Sequence, residues 1–461
     1  MTRDLQIVLV SPQAHYPAHD WPNSVALMRA LRQKGHNVRG VIFSTTTEPI
    51  PPDLQSSVEP VFSRLPPGWR QVAAGKWQER RFGALMNFCE TSACLFKALR
   101  LARKHSSPDA SRHENEVGTS RCDVPARVER VERMSPKAGE TSSSGRGADG
   151  AARRPYQQQS QVVPSGPVLH FIGGSYWIVV LATLWFRRVR FVYSLYDCML
   201  SGPATGLKAR LRPHLKNLLQ RAAATGRLEF TCENELLHEG ITALVGPHVH
   251  VIPYAIDDTE ALPSREEARQ RLGLPPHEKI ILFFGTHRRE KDYHTALKGC
   301  LALPQPPLAL FVGKVISSND PRGVAAECGY PNARIVNEFV PEVLAKNYFA
   351  AADAVALPYE ANFSRGSGVL IECCRHLRPM IASATPYFST FLEQFKCGVT
   401  YMPGDSDSFA KAAARLLADT AGFHAALERA RRAHSWNIMT DRYVHLYQNT
   451  DQSPLSSLKF E

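Results

Sequence analysis

Short unbroken apolar runs alternate with amphipathic stretches along most of this chain. That is the pattern of parallel strands buried on both faces and of the helices that cover them. Leu5 to Val10 is the first run, a helix is predicted from Ser24 through Val25, Leu27, Met28 and Leu31 to near Gly35, and Val38 to Phe43 is the next strand. The pattern returns with the strand Val168 to Ile172, the pair Gly173-Gly174, a helix from about Ser175 to Phe186 and the strand Arg190 to Leu195. A basic helix over roughly 207–223 and strands at Glu229 to Cys232 and Val249 to Ile252 follow. Tyr176 to Phe186 is apolar enough to read as a buried helix and too short to span a bilayer.

After a linker at Tyr254 to Asp258 a second series begins. Its helices are predicted at Arg265 to Leu272, from Tyr293, at Glu342 to Ala351 and from Gly368; its strands are Ile280 to Phe284, Leu308 to Val312, a small one at Ile335 and Val336, Ala354 to Leu357, and Met380 to Ala382. Gly404-Asp405-Ser406-Asp407 is predicted to cap a helix running to Leu417, and the last helices end in Trp436 to Tyr447. The fold class is α/β, with two Rossmann-like domains facing each other across a cleft. Residues 1–104 with 167–253 form the first and 254–434 the second, while 435–461 are expected to pack back on the first as a C-terminal helix. Residues 105–166 break the pattern. Ser, Arg, Gly, Pro and Gln dominate there, with nine basic and eight acidic residues, and such a segment cannot bury enough surface to offset its ordering entropy. It is read as a disordered insertion in the N-terminal domain.

Composition narrows the class. The 461 residues give room for two cores. The chain opens directly into a strand without a charged-then-apolar leader, and its ten cysteines lack CxxC spacing, so a cytoplasmic, reduced protein is expected. The net charge of +12 resides wholly in the N-terminal half: residues 1–250 hold 32 Lys/Arg against 20 Asp/Glu, and residues 251–461 hold 23 of each. The excess peaks over 64–104, with nine basic residues, two acids, and the aromatics Trp69, Trp77, Phe82 and Phe88. This stretch is read either as a solvated helix face with buried aromatics or as a contact for anionic groups, be they lipid headgroups at the inner face of a membrane or an acidic acceptor. No nucleic-acid partner is expected.

The candidate chemistry gathers where predicted strands end. Ser364-Arg365-Gly366-Ser367-Gly368 follows the strand at Ala354 to Leu357 and brings small residues, a cation and a helix N-terminus, capped by Ser367, to one point. Such a point suits a diphosphate. Glu372, one turn further in, can accept hydrogen bonds from sugar hydroxyls. Gly285-Thr286-His287-Arg288-Arg289-Glu290-Lys291-Asp292 closes the strand Ile280 to Phe284 and adds a second basic cluster. Two such clusters on one diphosphate would stabilise the charge that develops as it leaves. In the other domain, the loop Ser11 to Pro22 lacks GxGxxG but carries His15, His19, Asp20 and Trp21, a set suited to hydroxyl-rich ligands or to a variable surface loop. His170 and Asp197 each have two readings, cleft group or core group. The chain has no P-loop lysine motif, no HExxH and no GxSxG. Asp405-Ser406-Asp407 is read as a helix cap, and no metal or other cofactor is predicted.

Several segments together resemble the retaining GT-B glycosyltransferases of family 4. VIPYAID (251–257) is similar to the family's interdomain VIPNGID, and FFGTHRREKD (283–292) to its GRLxxxKG segment. EFVPEVLAKNYFAAADAVALPY (338–359), GVLIECCRHLRPMIAS (368–383) and YMPGDSDSFAKAAARLLAD (401–419) resemble later family segments. The resemblance implies a nucleotide-sugar donor and a hydroxyl acceptor, be it a glycan, a lipid-linked compound or a small molecule. It implies Lys291, Arg288 and His170 at the reaction centre. It places Gly285, Thr286, Arg289, Ser364, Arg365, Gly366, Ser367, Gly368, Val369 and Glu372 around the donor, with Lys291 on the diphosphate and Glu372 on the ribose. The family's first glutamate falls at Ser364 and its GRL arginine at Thr286. These departures motivate a rival reading, a non-catalytic nucleotide-sugar-binding or scaffold protein of the same fold.

Overall fold

The computed structural model describes residues 5–12, 20–43, 50–61, 78–104, 166–196, 199–200, 207–259, 261–363 and 366–448. The insertion read at 105–166 lies outside the described residues except for Gly166, and His15, His19 and Asp197 lie outside them too.

Strands β1 (Gln6–Ser11), β2 (Asn37–Ile42), β3 (Val58–Pro60), β4 (Val168–Ile172), β5 (Arg190–Leu195), β6 (Leu228–Cys232) and β7 (Val249–Val251) form one parallel sheet in the order β3-β2-β1-β4-β5-β6-β7. Helices α1 (Asp20–Gln33), α2 (Gln78–Lys104), α3 (Tyr176–Trp185), α4 (Leu207–Ala223) and α5 (Glu235–Val245) cover it. Side chains of α2 to α5 pack on one face, around Leu169, Phe171 and Phe191, while α1 packs on the other around Ile7, Leu9 and Val192.

The second sheet is also parallel. Its strands β8 (Ile280–Phe284), β9 (Leu308–Val312), β10 (Ala333–Val336), β11 (Ala354–Leu357), β12 (Met380–Ser383) and β13 (Gly398–Tyr401) run in the order β10-β9-β8-β11-β12-β13. Helices α6 (Arg265–Leu272), α7 (Tyr293–Leu301), α8 (Pro321–Glu327), α9 (Glu342–Ala351), α10 (Gly368–Arg375), α11 (Pro386–Phe395), α12 (Ser406–Ala418) and α13 (His424–Ala433) cover it. One face packs on α9, α10, α11 and α13, the other on α7, α8 and α12. The strand order reverses between β8 and β11. At such a reversal the loops leave in opposite directions and open a crevice at the carboxyl edge.

The chain then returns to the first domain. Ile256 bridges Ser435, and α14 (Trp436–Gln448) packs beside α1, where Lys34 pairs with Asp441 at 2.8 Å. Arg190 donates to the carbonyls of Leu446, at 3.1 Å, and Tyr447.

Three local readings change. α1 starts at Asp20 rather than Ser24, and Trp21, read as a loop group for hydroxyl ligands, is 2 % exposed in the core. Helix α3 is not buried all round, since Leu181 is 47 % and Trp185 82 % exposed. The strands β3 and β13 and the helices α5, α8 and α11 were not read from the sequence, although α5 and α11 are amphipathic and bury Leu237, Ile241 and Val245, and Phe388, Phe391, Leu392 and Phe395. Asp405 does cap α12, accepting from Ser408 N at 2.9 Å.

Candidate active site

The residues at the β8/β11 reversal are drawn together by backbone contacts. Gly285 leaves β8 with a φ of +84°. A Cβ there would sit 3.3 Å from Val369 Cγ2 and 3.8 Å from Lys291 Nζ, so Gly285 is the point at which this loop, Lys291 and the start of α10 meet. Gly313, after β9, approaches the Gly285 carbonyl so closely that a Cβ would lie 2.2 Å from it. Lys291 bridges Tyr359, and Glu360 N donates to Glu290 O at 2.9 Å, which stitches the loop after β8 to the one after β11.

Lys291 is 7 % exposed. Its Nζ donates to Phe284 O at 2.8 Å and lies 5.9 Å from the centre of the Tyr359 ring, within cation–π range. Burial first, and then the Arg288 charge, pull its pKa down to about 7. Arg288 and Arg289 are exposed on the same loop, and Arg288 Nε donates to Thr286 Oγ1 at 3.1 Å. The guanidinium of Arg288 thus lies beside Thr286, the position where the family resemblance expects an arginine. His287, between them, is buried with its Nδ1 2.6 Å from Tyr293 Oη, and burial lowers its pKa to about 4.

Helix α10 begins at Gly368 after Ser367, but the Ser367 side chain makes no cap hydrogen bond. Its Oγ lies 3.3 Å from Tyr359 Oη instead. The serine was read as the cap; the extended backbone turns its hydroxyl towards the aromatic ring, so it does not cover the first amides of the helix. Glu372 sits one turn in, its Oε2 3.1 Å from His376 Nε2 and its Oε1 3.7 Å from Arg375. Ser364 and Arg365 lie outside the described residues.

His170 is a correction. It is fully buried inside β4, with Nδ1 2.7 Å from Tyr447 Oη and Nε2 2.8 Å from Ser194 Oγ. Burial lowers its pKa to about 3, so the ring stays neutral. With both nitrogens engaged by β5 and α14, it is a core histidine and not a cleft group beside Lys291.

Glu233 was not singled out from the sequence. It follows β6, at the carboxyl edge of the first sheet, and its Oε1 accepts from Gly366 N at 3.0 Å across the cleft. A Cβ on Gly366 would lie 2.2 Å from that oxygen, so only glycine permits this approach. The rule that ligands gather at strand carboxyl ends was the signal available for it. Nearby, Tyr196 and Tyr254 stack at 6.0 Å and 7°, and together with Asn23, Glu233 and Trp436 they line a cavity.

Two parallel sheets with helices on both faces, joined at Ile252 to Ile256 and closed by a returning helix, make this a protein of the GT-B fold. Residues 264–434 match the model of the glycosyl transferases group 1 family. The D-inositol 3-phosphate glycosyltransferase of Corynebacterium urealyticum is 28 % identical over 231 residues, covering 47 % of this chain and 53 % of its own length. The chain thus spans about half the length of the curated relatives it matches. Sucrose-phosphate synthase of Thermosynechococcus elongatus has a similar structure (TM-score 0.61, 16 % identity, 96 % of this chain and 98 % of that one). Anabaena HepE, solved in complex with UDP, is similar too (TM-score 0.59, 12 % identity, 96 % and 100 %). Among the described residues, no helix is long and apolar enough to cross a membrane.

Proposed function

We propose that this protein is a retaining glycosyltransferase that moves a sugar from a nucleotide-diphosphate donor to a hydroxyl acceptor. The carrying observation is the meeting of Lys291, Gly285 and the side-chain-uncapped start of α10 at the strand-order reversal. A buried cation beside helix amides stabilises an anionic leaving group, and in a water-poor site it does so far better than at the surface. The C1–O bond breaks with its electron pair leaving on the β-phosphate oxygen. The acceptor oxygen bonds to C1 on the same face, and its proton goes to the departing diphosphate. Arg288, beside Thr286, supplies the second charge, Glu372 accepts from the ribose hydroxyls, and the Tyr196–Tyr254 cavity takes the acceptor. The UDP complex of HepE supports a nucleotide ligand for the fold. The protein acts in the cytoplasm without a metal.

The test is a panel of nucleotide sugars, scored for binding by thermal shift and for turnover by nucleotide-diphosphate release. Turnover above the uncatalysed rate supports the enzyme. Binding with no release for any donor supports the scaffold reading that Thr286 and Ser364 motivate.

Two further outcomes are expected. The free-protein pKa of Lys291 is about 7, and a bound diphosphate raises it, so binding above pH 7 takes up a proton. Nucleotide-diphosphate affinity should therefore fall as pH rises from 7 to 9, by at most about tenfold per unit, and this slope should vanish in Lys291→Ala when measured by titration calorimetry. Glu233 holds the amide of Gly366 that a phosphate would take. Glu233→Gln removes the competing charge and should tighten nucleotide-diphosphate binding by roughly three- to tenfold, the effect of one partly buried like charge. Unchanged or weaker binding would place Glu233 outside the donor site.

A further inference from the structure

The helices covering one face of the N-terminal sheet turn an outer surface to solvent that is both apolar and cationic. Helices α2, α3 and α4 lie side by side in one layer. On α3, Trp177, Leu181 and Trp185 recur every fourth residue and form one stripe. Trp185 is 82 % exposed, Phe96 on α2 68 %, and Leu211 on α4 45 %. A single exposed apolar residue means little, but here four are borne by adjacent helices of one layer.

The exposed charges that the described side chains of these three helices carry have one sign; the exposed acids nearby, Glu235 and Glu239, are on α5. Arg100 and Arg103 on α2, Arg187 and Arg188 after α3, and Arg210 and Lys216 on α4 are all exposed. Helices α3 and α4 contain no acid, and from Asn87 onward the one acid of α2, Glu90, is fully buried. Between α4 and α5 a cleft is lined by Met199, Leu200 and Leu244, with Arg212 and Lys216, one turn apart, beside them.

We propose that this face docks on an anionic lipid bilayer. Cations reach lipid phosphates while Trp, Phe and Leu side chains enter the boundary between headgroups and acyl chains. The α4–α5 cleft, apolar with two cations, fits a headgroup phosphate above the start of an acyl chain. A second copy of this chain is a poor occupant, because a two-fold contact sets this cationic face against itself. A nucleic acid would use the cations but gain little from Leu181 and Leu211. The docking surface is independent of the donor site and does not rest on the proposed transfer activity.

The test is flotation of the full-length protein with phosphatidylcholine vesicles, with and without about a third of phosphatidylglycerol. Binding is expected only with the anionic lipid, and it should be largely lost at about 0.5 M salt, where charges are screened within a few ångströms. Arg210→Glu with Lys216→Glu should lower partitioning by about tenfold or more. Leu181→Ser with Trp185→Ser should do likewise. Both pairs are exposed, so circular dichroism and nucleotide binding should be unchanged. Brominated lipid should quench tryptophan fluorescence in the unaltered protein, and less so in Trp185→Phe. No partitioning onto anionic vesicles, equal partitioning onto neutral ones, or binding untouched by either pair would overturn the proposal. So would self-association in light scattering that the Leu181→Ser/Trp185→Ser pair abolishes, since the face would then belong to a second copy.

Discussion

Lys291→Ala should reduce turnover by about 10²–10³-fold, the effect of deleting one preorganised charge stabiliser, or about 3–4 kcal/mol of barrier. The argument is geometric. Lys291 is held by its own backbone, which bridges Tyr359, and by its Nζ, which donates to Phe284 O at 2.8 Å. The amino group is therefore placed before any donor arrives, and the bound diphosphate, which raises its pKa, holds it as the cation as charge develops on the leaving phosphate. The loss should appear in kcat as well as in kcat/KM, because the charge to be stabilised is largest in the transition state. Lys291→Arg should not restore activity, since a guanidinium does not fit a buried space shaped around an ammonium. The fold should survive the alanine change: removing a buried cation relieves a desolvation cost. Between about pH 7 and 10.5 the unfolded chain holds a proton that the folded one has lost, so the lysine's cost to stability is greatest below pH 7 and fades as pH rises through that window. Turnover within threefold of the unaltered protein would remove Lys291 from the chemistry.

Asp353→Ala should destabilise the C-terminal domain by about 3–5 kcal/mol, the range found when one partner of a buried ion pair is deleted. Asp353 precedes β11 and is 4 % exposed. Its Oδ2 accepts from Arg269 Nη2 at 2.9 Å and from Ile280 N at 2.8 Å, and its Oδ1 accepts from Arg265 Nη1 at 2.9 Å. One carboxylate thus ties α6 to the beginnings of β8 and β11, the two strands that flank the proposed donor site. Alanine would leave the 2 % exposed Arg269 without its counter-charge and the Ile280 amide without its acceptor. Chemical denaturation should show the lower midpoint, and Asp353→Asn should recover part of the loss by keeping the hydrogen-bonding shape. A change below about 1 kcal/mol would mean that the network is solvated, as surface pairs are.

Where a residue's role follows from its neighbours along the chain, the sequence was a sufficient guide. The runs IILFF before Gly285 and AVAL before Pro358 read as buried parallel strands from their shortness and the Gly or Pro that ends each, and the basic and small residues that follow do emerge at a carboxyl edge. Asp405 could be read as a cap because capping is completed within four residues. The patterns that failed are those in which a distant element decides. His170 looks the same in sequence whether it lines a cleft or a core; Tyr447, 277 positions away, and Ser194 decide that it is a core residue. Ser367 carries the side chain of a cap, yet Tyr359 takes its hydroxyl.

The sequence by itself determined two α/β units, their parallel strands and the basic loops at the strand ends, because periodicity and turn chemistry act over a few residues. Only the tertiary structure decided which loops become neighbours. The reversal of strand order between β8 and β11 sets Lys291 beside Gly285 and Val369. The joining of the two domains carries Glu233 to the amide of Gly366, and the packing of α2, α3 and α4 in one layer makes neighbours of the helices that expose Phe96, Trp185 and Leu211. Those contacts depend on strand pairing and helix packing between residues far apart in the chain, which no local pattern encodes.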